Sequence, residues 1–157
     1  MTLAVLAITL AVILAVAVEP EGRNFEVLMD NVEQWIYSKP GVVECVHAGI
    51  GEKKRIGYLY RPQYKPRACS LWQGNISDND LVRTQPVMLY PFEKFWDKEV
   101  KFVKCDIEGA EVWVLDWLKT LRIPEVRVEV HDYIEGLGDE LRRQMKELRE
   151  FYEVERL

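Results

Sequence analysis

The sequence predicts an α/β fold, in which strands and helices alternate along the chain. The first observation is Val100–Trp117, where a short apolar strand, an acidic turn with a glycine and an amphipathic helix follow one another. The second is Arg23–Ser38, whose apolar residues, including Met29, recur at helical spacing and are predicted to be core. The third is the pair of apolar runs Val42–Val46 and Val126–Val130, each of which predicts a strand.

Length and composition predict a single domain over residues 1–157. The chain is 48% apolar and 30% charged, which is typical of a packed domain and not of a disordered chain. The net charge is −5 and no basic run is interleaved with aromatic residues, so the sequence predicts no nucleic-acid binding. Three cysteines and no clear secretory signal predict buried or free thiols in a reducing, cytoplasmic compartment.

The apolar tract at residues 1–18 has three interpretations. Leu3–Val18 carries no charge, but it is shorter than the roughly 20 apolar residues that span a bilayer. It also lacks the basic flank of a signal peptide or membrane anchor, which makes a membrane anchor the weaker alternative. The other two interpretations are a buried helix leading into a buried strand, and two buried strands.

Short strands and one long polar loop are predicted for the middle of the chain, after Pro40-Gly41 ends the helix. The turn His47–Gly51 follows the strand that ends at Val46, and Ile56–Tyr60 is predicted as a hairpin strand. Arg61–Thr84 is irregular and polar, so it is either a functional loop or an ordinary surface loop. Gln85–Tyr90 is predicted to be a further strand.

The C-terminal third continues the alternation of helix and strand. Pro91–Asp97 is predicted as a short helix, and Ala110–Arg122 as the helix that follows the acidic turn. After the strand at residues 126–130, a last helix begins at Gly138. Phe151–Leu157 is predicted to begin a final edge strand.

Lys104–Glu111, with the sequence Lys-Cys-Asp-Ile-Glu-Gly-Ala-Glu, resembles the Lys-Ile-Asp-(Ile/Val)-Glu-Gly-Ala-Glu signature of the FkbM-type methyltransferases, which depend on S-adenosylmethionine (SAM). Two flanking segments keep the family's order: Ala-Val-Glu-Pro20 followed by Asn24-Phe25, and Glu129-Val-His131. The resemblance extends from Ala11 to the end of the chain. It implies a Rossmann-like class I methyltransferase sheet with flanking helices, and O-methylation of a hydroxyl on a sugar or other small-molecule acceptor.

The resemblance also implies that the fold is reduced or truncated at the N-terminus. The family's first strand ends in an Asp-x-Gly-x-x-x-Gly turn, whose glycines let the backbone approach the cofactor. No glycine precedes Gly22 here. In the family this strand lies in the middle of the sheet, and its loss would leave two strand edges without partners. There are three alternative explanations for the missing strand. The recorded start lies downstream of the true one, tract 1–18 fills the gap as a strand, or a second copy in a homo-oligomer covers the two edges.

Four residues are predicted to bind the SAM cofactor. A carboxylate at a strand end can accept two hydrogen bonds from the hydroxyls of a ribose, which assigns this contact to Glu19. The alternative for Glu19 is a surface acid before a proline turn. The resemblance implies that Ala48 and Gly49 pass near the adenine and that Asp106 faces the methyl group.

Asp106, Glu108 and His131 are predicted to be catalytic. The unperturbed pKa of histidine lies near neutrality, so His131 is the natural general base, and Asp106 orients the acceptor or acts as base. The alternative for Glu108 and Glu111 is that they cap the following helix through its dipole. A metal site formed with Glu129 is conceivable from the residue types, but none is predicted.

A second hypothesis is a non-catalytic, cofactor-free methyltransferase-like protein that acts as a binding or assembly partner. The missing glycine turn favours it. The enzyme hypothesis requires Glu19 and Asp106 to end strands at the same edge of the sheet and to face one crevice that tract 1–18 does not bury. On the acceptor side of that crevice, the resemblance implies a pocket shaped by Tyr64, Arg67, Ser70 and Trp72.

Overall fold

The computed structural model describes residues 4–9, 12–38, 42–62, 69–72, 82–95 and 100–153. Within them the chain has an α/β fold with eight strands and three α-helices. The strands are β1 (Ala4–Thr9), β2 (Val12–Val18), β3 (Val42–Val46), β4 (Gly49–Ile50), β5 (Arg55–Pro62), β6 (Val82–Tyr90), β7 (Phe102–Cys105) and β8 (Glu125–Val128). The helices are α1 (Gly22–Ser38), α2 (Glu111–Leu121) and α3 (Gly138–Leu148).

The larger sheet has five strands in the order β3-β2-β1-β7-β8. β2 and β3 are parallel, β7 and β8 are parallel, and β1 is antiparallel to both of its neighbours, β2 and β7. Because β2 and β7 both run opposite to β1, they run in the same direction. The C-terminal ends of β2, β3, β7 and β8 therefore lie at one edge of the sheet, called the carboxyl edge below.

The apolar N-terminal tract forms two strands, so the two-strand interpretation is confirmed and a helix over residues 4–9 is wrong. β1 pairs with both neighbours at Val5, which lies opposite Ala17 on one side and Lys104 on the other. The tract thus fills the gap in the middle of the sheet, as the second of the three alternatives predicts. In the part of the chain that the structure describes, no helix is both long enough and apolar enough to cross a membrane.

The smaller sheet has three strands in the order β4-β6-β5. β5 extends beyond the predicted Ile56–Tyr60, and its antiparallel partner is β6. On its other side, Tyr60 forms an isolated bridge to Ser70, and this bridge brings residues 69–72 against β5. Through that contact the segment 69–72 reaches the acidic turn after β7.

The main core lies between the larger sheet and helices α2 and α3. Leu115 and Leu118 on one face of α2 and Leu141 of α3 are completely buried, together with Val103 of β7. The prediction that the apolar face of α1 is core is wrong for Met29, which is 46% exposed. The reason is that α1 packs mainly beside the edge strand β3, which offers little sheet surface to cover it.

The remaining differences from the sequence predictions lie at element ends. Only Phe92–Phe95 of the predicted Pro91–Asp97 helix is described as helical, as one 3-10 turn. The predicted strand at the C-terminus is wrong over residues 151–153, which form a turn after α3. Other predictions fall outside the described residues: those for Pro40-Gly41, Tyr64, Arg67 and residues 154–157.

The three cysteines are joined by no disulfide bond. Cys69 and Cys105 are buried, as predicted, and Cys45 is partly buried. Burial raises the pKa of the Cys69 thiol to about 11 and raises that of Cys105 well above its usual value. These thiols are therefore protonated at neutral pH and poorly reactive.

Candidate functional site

Glu19 and Asp106 both lie at the carboxyl edge, one after β2 and the other after β7, with β1 between the two strands. The backbone N–H of Glu19 continues the β2–β3 ladder by donating to the carbonyl oxygen of Val46 at 3.1 Å. The Glu19 side chain is buried, and its Oε1 accepts the backbone N–H of Glu21 at 2.8 Å. It is not the surface acid of the alternative interpretation.

A small pocket brings together three of the predicted cofactor residues. Glu19, Ala48 and Gly49 line this pocket together with Ile107 and Ala110, which lie in and just after the acidic turn. The remaining lining residues are Val18, Pro20, Ile50, Leu59, Cys69 and Leu71. The cavity volume is about 20 Å³, which is room for one water molecule and not for a nucleoside.

The Glu19 carboxylate is poorly solvated in this pocket. Loss of solvation raises its pKa to about 7, although hydrogen bonds from the Glu21 backbone and the Asn24 side chain act in the opposite direction. A further pair of hydrogen-bond donors at this carboxylate would stabilise its charged form. Glu19 thus has the capacity to accept hydrogen bonds from a ligand in the pocket.

Glu21, which sequence reasoning did not single out, contacts Glu19 through its backbone N–H and is itself held by two further contacts. Glu21 precedes α1, and its Oε2 accepts the backbone N–H of Asn24 at 2.8 Å, which caps the helix. Its Oε1 accepts a hydrogen bond from Arg61 of β5 at 2.8 Å. The signal for the cap was present in the sequence, as an acid directly before the helical spacing begins.

The acidic turn after β7 has an unusual backbone that is held by side chains. Glu108 and Gly109 both have positive φ angles, 51° and 104°. The Glu111 carboxylate accepts the backbone N–H groups of Ile107 at 3.0 Å and Gly109 at 2.7 Å. The hydroxyl of Ser70 donates to the carbonyl oxygen of Glu108 at 2.7 Å. These bonds stabilise a conformation that a non-glycine residue such as Glu108 adopts only at a cost.

His131 lies next to this turn, beyond the end of β8, and its side chain is 5% exposed. Its Nδ1 lies 2.8 Å from Oε1 of Glu111. Because an ionised carboxylate only accepts hydrogen bonds, we assign the proton to Nδ1, which leaves Nε2 as the free ring nitrogen of the neutral histidine.

Nε2 of His131 faces three further carboxylates. It lies 3.4 Å from Oε2 of Glu108, 3.9 Å from Oε1 of Glu129 and 4.0 Å from Oδ1 of Asp106. The structure thus brings together all three predicted catalytic residues, Asp106, Glu108 and His131. Together with Glu111 and Glu129 they are called the histidine–carboxylate cluster below.

Four carboxylates surround one histidine in this cluster, so the carboxylates repel one another and favour protonation of the cluster. Loss of solvation and neighbouring carboxylates raise the pKa of Asp106 and of Glu108, although His131 acts in the opposite direction. Burial is the largest single effect on His131 and lowers its pKa. The hydrogen bond to Glu111 and the surrounding negative charges together outweigh it, so the pKa of His131 is raised. A neutral His131 can therefore take up a proton readily at Nε2.

Glu111 has a larger role than the helix cap considered for it. Its side chain is completely buried and turns back into the acidic turn and towards His131. Its position as the last residue of the family-like segment was the signal available in the sequence. Nearby, Trp72 stacks on Trp113 with ring centroids 5.7 Å apart, so residues 69–72 cover the turn from the side of the smaller sheet.

Three of the cluster side chains have the residue types and spacing of metal ligands. One ligand atom from each of Asp106, Glu129 and His131 can be chosen so that all three lie within 4.8 Å of one another.

The structure therefore defines an α/β protein with a carboxylate-lined pocket and a histidine–carboxylate cluster at one edge of its sheet. Residues 8–152 match the family model described as the methyltransferase FkbM domain. The chain belongs to the FkbM methyltransferase family, as the resemblance of the acidic turn implies. No curated protein and no solved structure is detectably similar to it.

Proposed function

We propose that this chain is a SAM-dependent methyltransferase that methylates a hydroxyl group on a sugar or another small-molecule acceptor, and that its sheet is a Rossmann-like class I methyltransferase sheet. The observation that carries the proposal is the pocket at the carboxyl edge. Glu19, Ala48 and Gly49 line it, and Ile107 and Ala110 join it to the acidic turn that carries the family signature.

The residues of the pocket fit the nucleoside part of SAM in their chemistry. The buried, poorly solvated carboxylate of Glu19 suits the two hydroxyl donors of a ribose. Ala48 and Gly49 are small, so a flat ring can approach the backbone there. The pocket must widen to admit the nucleoside, and Leu71 in the segment 69–72 is the wall that we expect to move.

When bound, SAM would supply a methyl group already activated by a sulfonium, so the protein has to orient the acceptor and remove its proton. Nε2 of His131 is the base in this mechanism, and it takes the hydroxyl proton as the oxygen attacks. Glu111 holds Nδ1–H, which fixes the ring and stabilises the imidazolium that forms. Asp106 and Glu108 accept hydrogen bonds from the acceptor and orient it.

Calorimetric titration of the purified chain with SAM tests the proposal. We expect micromolar binding by the wild-type protein and affinity at least about 10-fold weaker for Glu19→Gln, because the neutral amide cannot make the charge-assisted pair. Glu33→Gln, an exposed acid on α1, is the matched control and should bind like the wild type. Binding that is equally tight in wild type and Glu19→Gln would contradict the assignment of Glu19.

The second candidate is a non-catalytic, cofactor-free protein of the same family that acts as a binding or assembly partner. Two observations favour it: β1 runs antiparallel in the middle of the sheet, and the cavity admits only a water molecule. The same titration separates the two candidates. No SAM binding by the folded wild-type protein, even at millimolar cofactor, would support the non-catalytic protein and overturn the enzyme.

A further inference from the structure

The histidine–carboxylate cluster contains a triangle of potential metal ligands outside the cofactor pocket. Nε2 of His131 lies 3.9 Å from Oε1 of Glu129 and 4.0 Å from Oδ1 of Asp106. Nitrogen and oxygen ligands that share one divalent ion at roughly 2.0–2.3 Å stand about 3–4.5 Å apart. We propose that Asp106, Glu129 and His131 bind a divalent transition-metal ion at the carboxyl edge.

The orientation of His131 is an independent observation that points to a ligand at Nε2. The ring is buried and its Nδ1 is held by Glu111 at 2.8 Å. In the described residues Nε2 makes no hydrogen bond of its own, and it faces the carboxylates of Glu108 at 3.4 Å, Glu129 at 3.9 Å and Asp106 at 4.0 Å. Histidines that bind metals are commonly held in this way, with the second ring nitrogen bonded to a carboxylate that fixes the tautomer.

The charge around this point favours a cation. Asp106 and Glu108 face His131 from the acidic turn, Glu111 faces it from α2, and Glu129 faces it from the end of β8. Among the residues that the structure describes, no lysine or arginine forms an ion pair with these four carboxylates. Besides His131, the charge of Lys104, an exposed residue of β7, acts on Asp106. A divalent ion would offset half of the formal charge of the four carboxylates.

The ligand types indicate the kind of ion. Two carboxylates and one imidazole suit Zn²⁺ better than a cation that prefers an all-oxygen shell. Three protein ligands leave coordination positions open, which is the arrangement of metal sites that also bind a substrate. At an open position the ion would orient an acceptor hydroxyl and lower its pKa, and with Nε2 of His131 bound to the ion the neighbouring carboxylate of Glu108 would take the hydroxyl proton in its place. That role rests on the proposed methyltransferase function, whereas metal binding itself does not.

The chain contains two histidines, His47 and His131, and this makes a direct test possible. His47 stacks on Phe25 and is not part of the cluster. We would label histidine with ¹⁵N in the full, chelator-treated chain and add one equivalent of Zn²⁺ at mildly alkaline pH. The expected result is a large shift of the His131 Nε2 signal with the His47 signals unchanged. No shift at His131, or equal shifts at both histidines, would overturn the proposal.

Calorimetric measurement of Zn²⁺ affinity on the same protein is a second test of the metal site. Asp106→Asn and Glu129→Gln should each weaken binding at least about 10-fold. Glu129 is largely exposed, so its replacement should leave the fold intact, which circular dichroism checks. The control is Glu135→Gln, an exposed acid on the next loop, which should bind like the wild type. Equal losses in the control would identify adventitious binding and overturn the site. Because no SAM is present, failure here leaves the SAM titration unaffected.

Discussion

Nδ1 of His131 lies 2.8 Å from Oε1 of Glu111, and the same carboxylate accepts the backbone N–H groups of Ile107 and Gly109. One buried side chain therefore joins the end of β8 to the acidic turn after β7. It also sets which nitrogen of His131 is free to act on a ligand. The chemistry proposed for the cluster depends on this contact.

Glu111→Gln should destabilise the protein by about 2–4 kcal/mol, because the new NH₂ group faces backbone or imidazole N–H donors and leaves buried groups unpaired. The measurement is the free energy of unfolding by urea. Glu135→Gln replaces an exposed acid and should change this free energy by less than about 0.5 kcal/mol. Equal stability of the two variants would show that Glu111 does not hold the turn.

A comparison of Gly109→Ala with Gly136→Ala separates the cost of backbone strain from the cost of crowding around the new Cβ atom. Both glycines have positive φ angles, 104° and 82°, so both substitutions are strained. A Cβ atom on Gly109 would lie 2.7 Å from Ile134 and 2.8 Å from Trp72, whereas one on Gly136 would meet nothing within 4 Å.

Gly109→Ala should therefore lower the free energy of unfolding by about 1–3 kcal/mol more than Gly136→Ala. Urea unfolding of the two variants side by side measures the difference. If Gly136→Ala proved the more costly of the two, the described packing of the acidic turn would be wrong.

The raised pKa of Glu19 predicts that the stability of the protein depends on pH. Its pKa is raised from 4.5 to about 7 by loss of solvation, so the folded state binds a proton more tightly than the unfolded state. This contribution to stability is complete below the unfolded pKa and is lost as the pH rises through the folded pKa. Glu19→Gln removes it.

The free energy of unfolding of Glu19→Gln should therefore rise relative to that of the wild type between about pH 4.5 and 7, by up to about 3 kcal/mol. Comparing the two proteins cancels the other groups that titrate in this range. A difference that does not vary with pH would mean that Glu19 is ionised and well solvated in the folded protein.

Asp106→Ala should reduce methyl transfer by at least about 100-fold while leaving the fold intact, because Asp106 contributes acceptor orientation and not core packing. Transfer of a labelled methyl group from SAM to a panel of hydroxylated acceptors measures the effect, and circular dichroism checks the fold. Asp116→Ala, an acid on the exposed face of α2, serves as control. Full activity of Asp106→Ala would remove this residue from the mechanism.

Much of the fold could be predicted because local patterns and packing agree in this sequence. The strand, acidic turn and helix around Asp106 carry period-2 and period-3.6 spacing on either side of a glycine, and the structure places them as expected. The apolar tract was ambiguous because an uncharged run is compatible with a buried helix or with buried strands. The two available edges at β2 and β7 decide between these, since only a strand can pair with both.

The candidate site could be predicted only in part. Glu19 and Asp106 were predictable because each follows a strand at the carboxyl edge. The contact between Glu111 and His131 joins residues 20 positions apart, and it depends on the backbone path of the turn. The spacing of residues in the sequence does not indicate the backbone path of this turn. Similarly, the exposure of Met29 depends on α1 lying beside an edge strand, which helical spacing alone does not reveal.

The central claim is that the pocket at the carboxyl edge binds SAM. The most direct measurement is an amide chemical-shift map of the ¹⁵N-labelled chain as S-adenosylhomocysteine, the demethylated form of the cofactor, is added. We expect saturable shifts that are largest at Glu19, Ala48, Gly49 and Ile107. Shifts confined to residues away from this pocket, or no shifts at millimolar ligand, would contradict it.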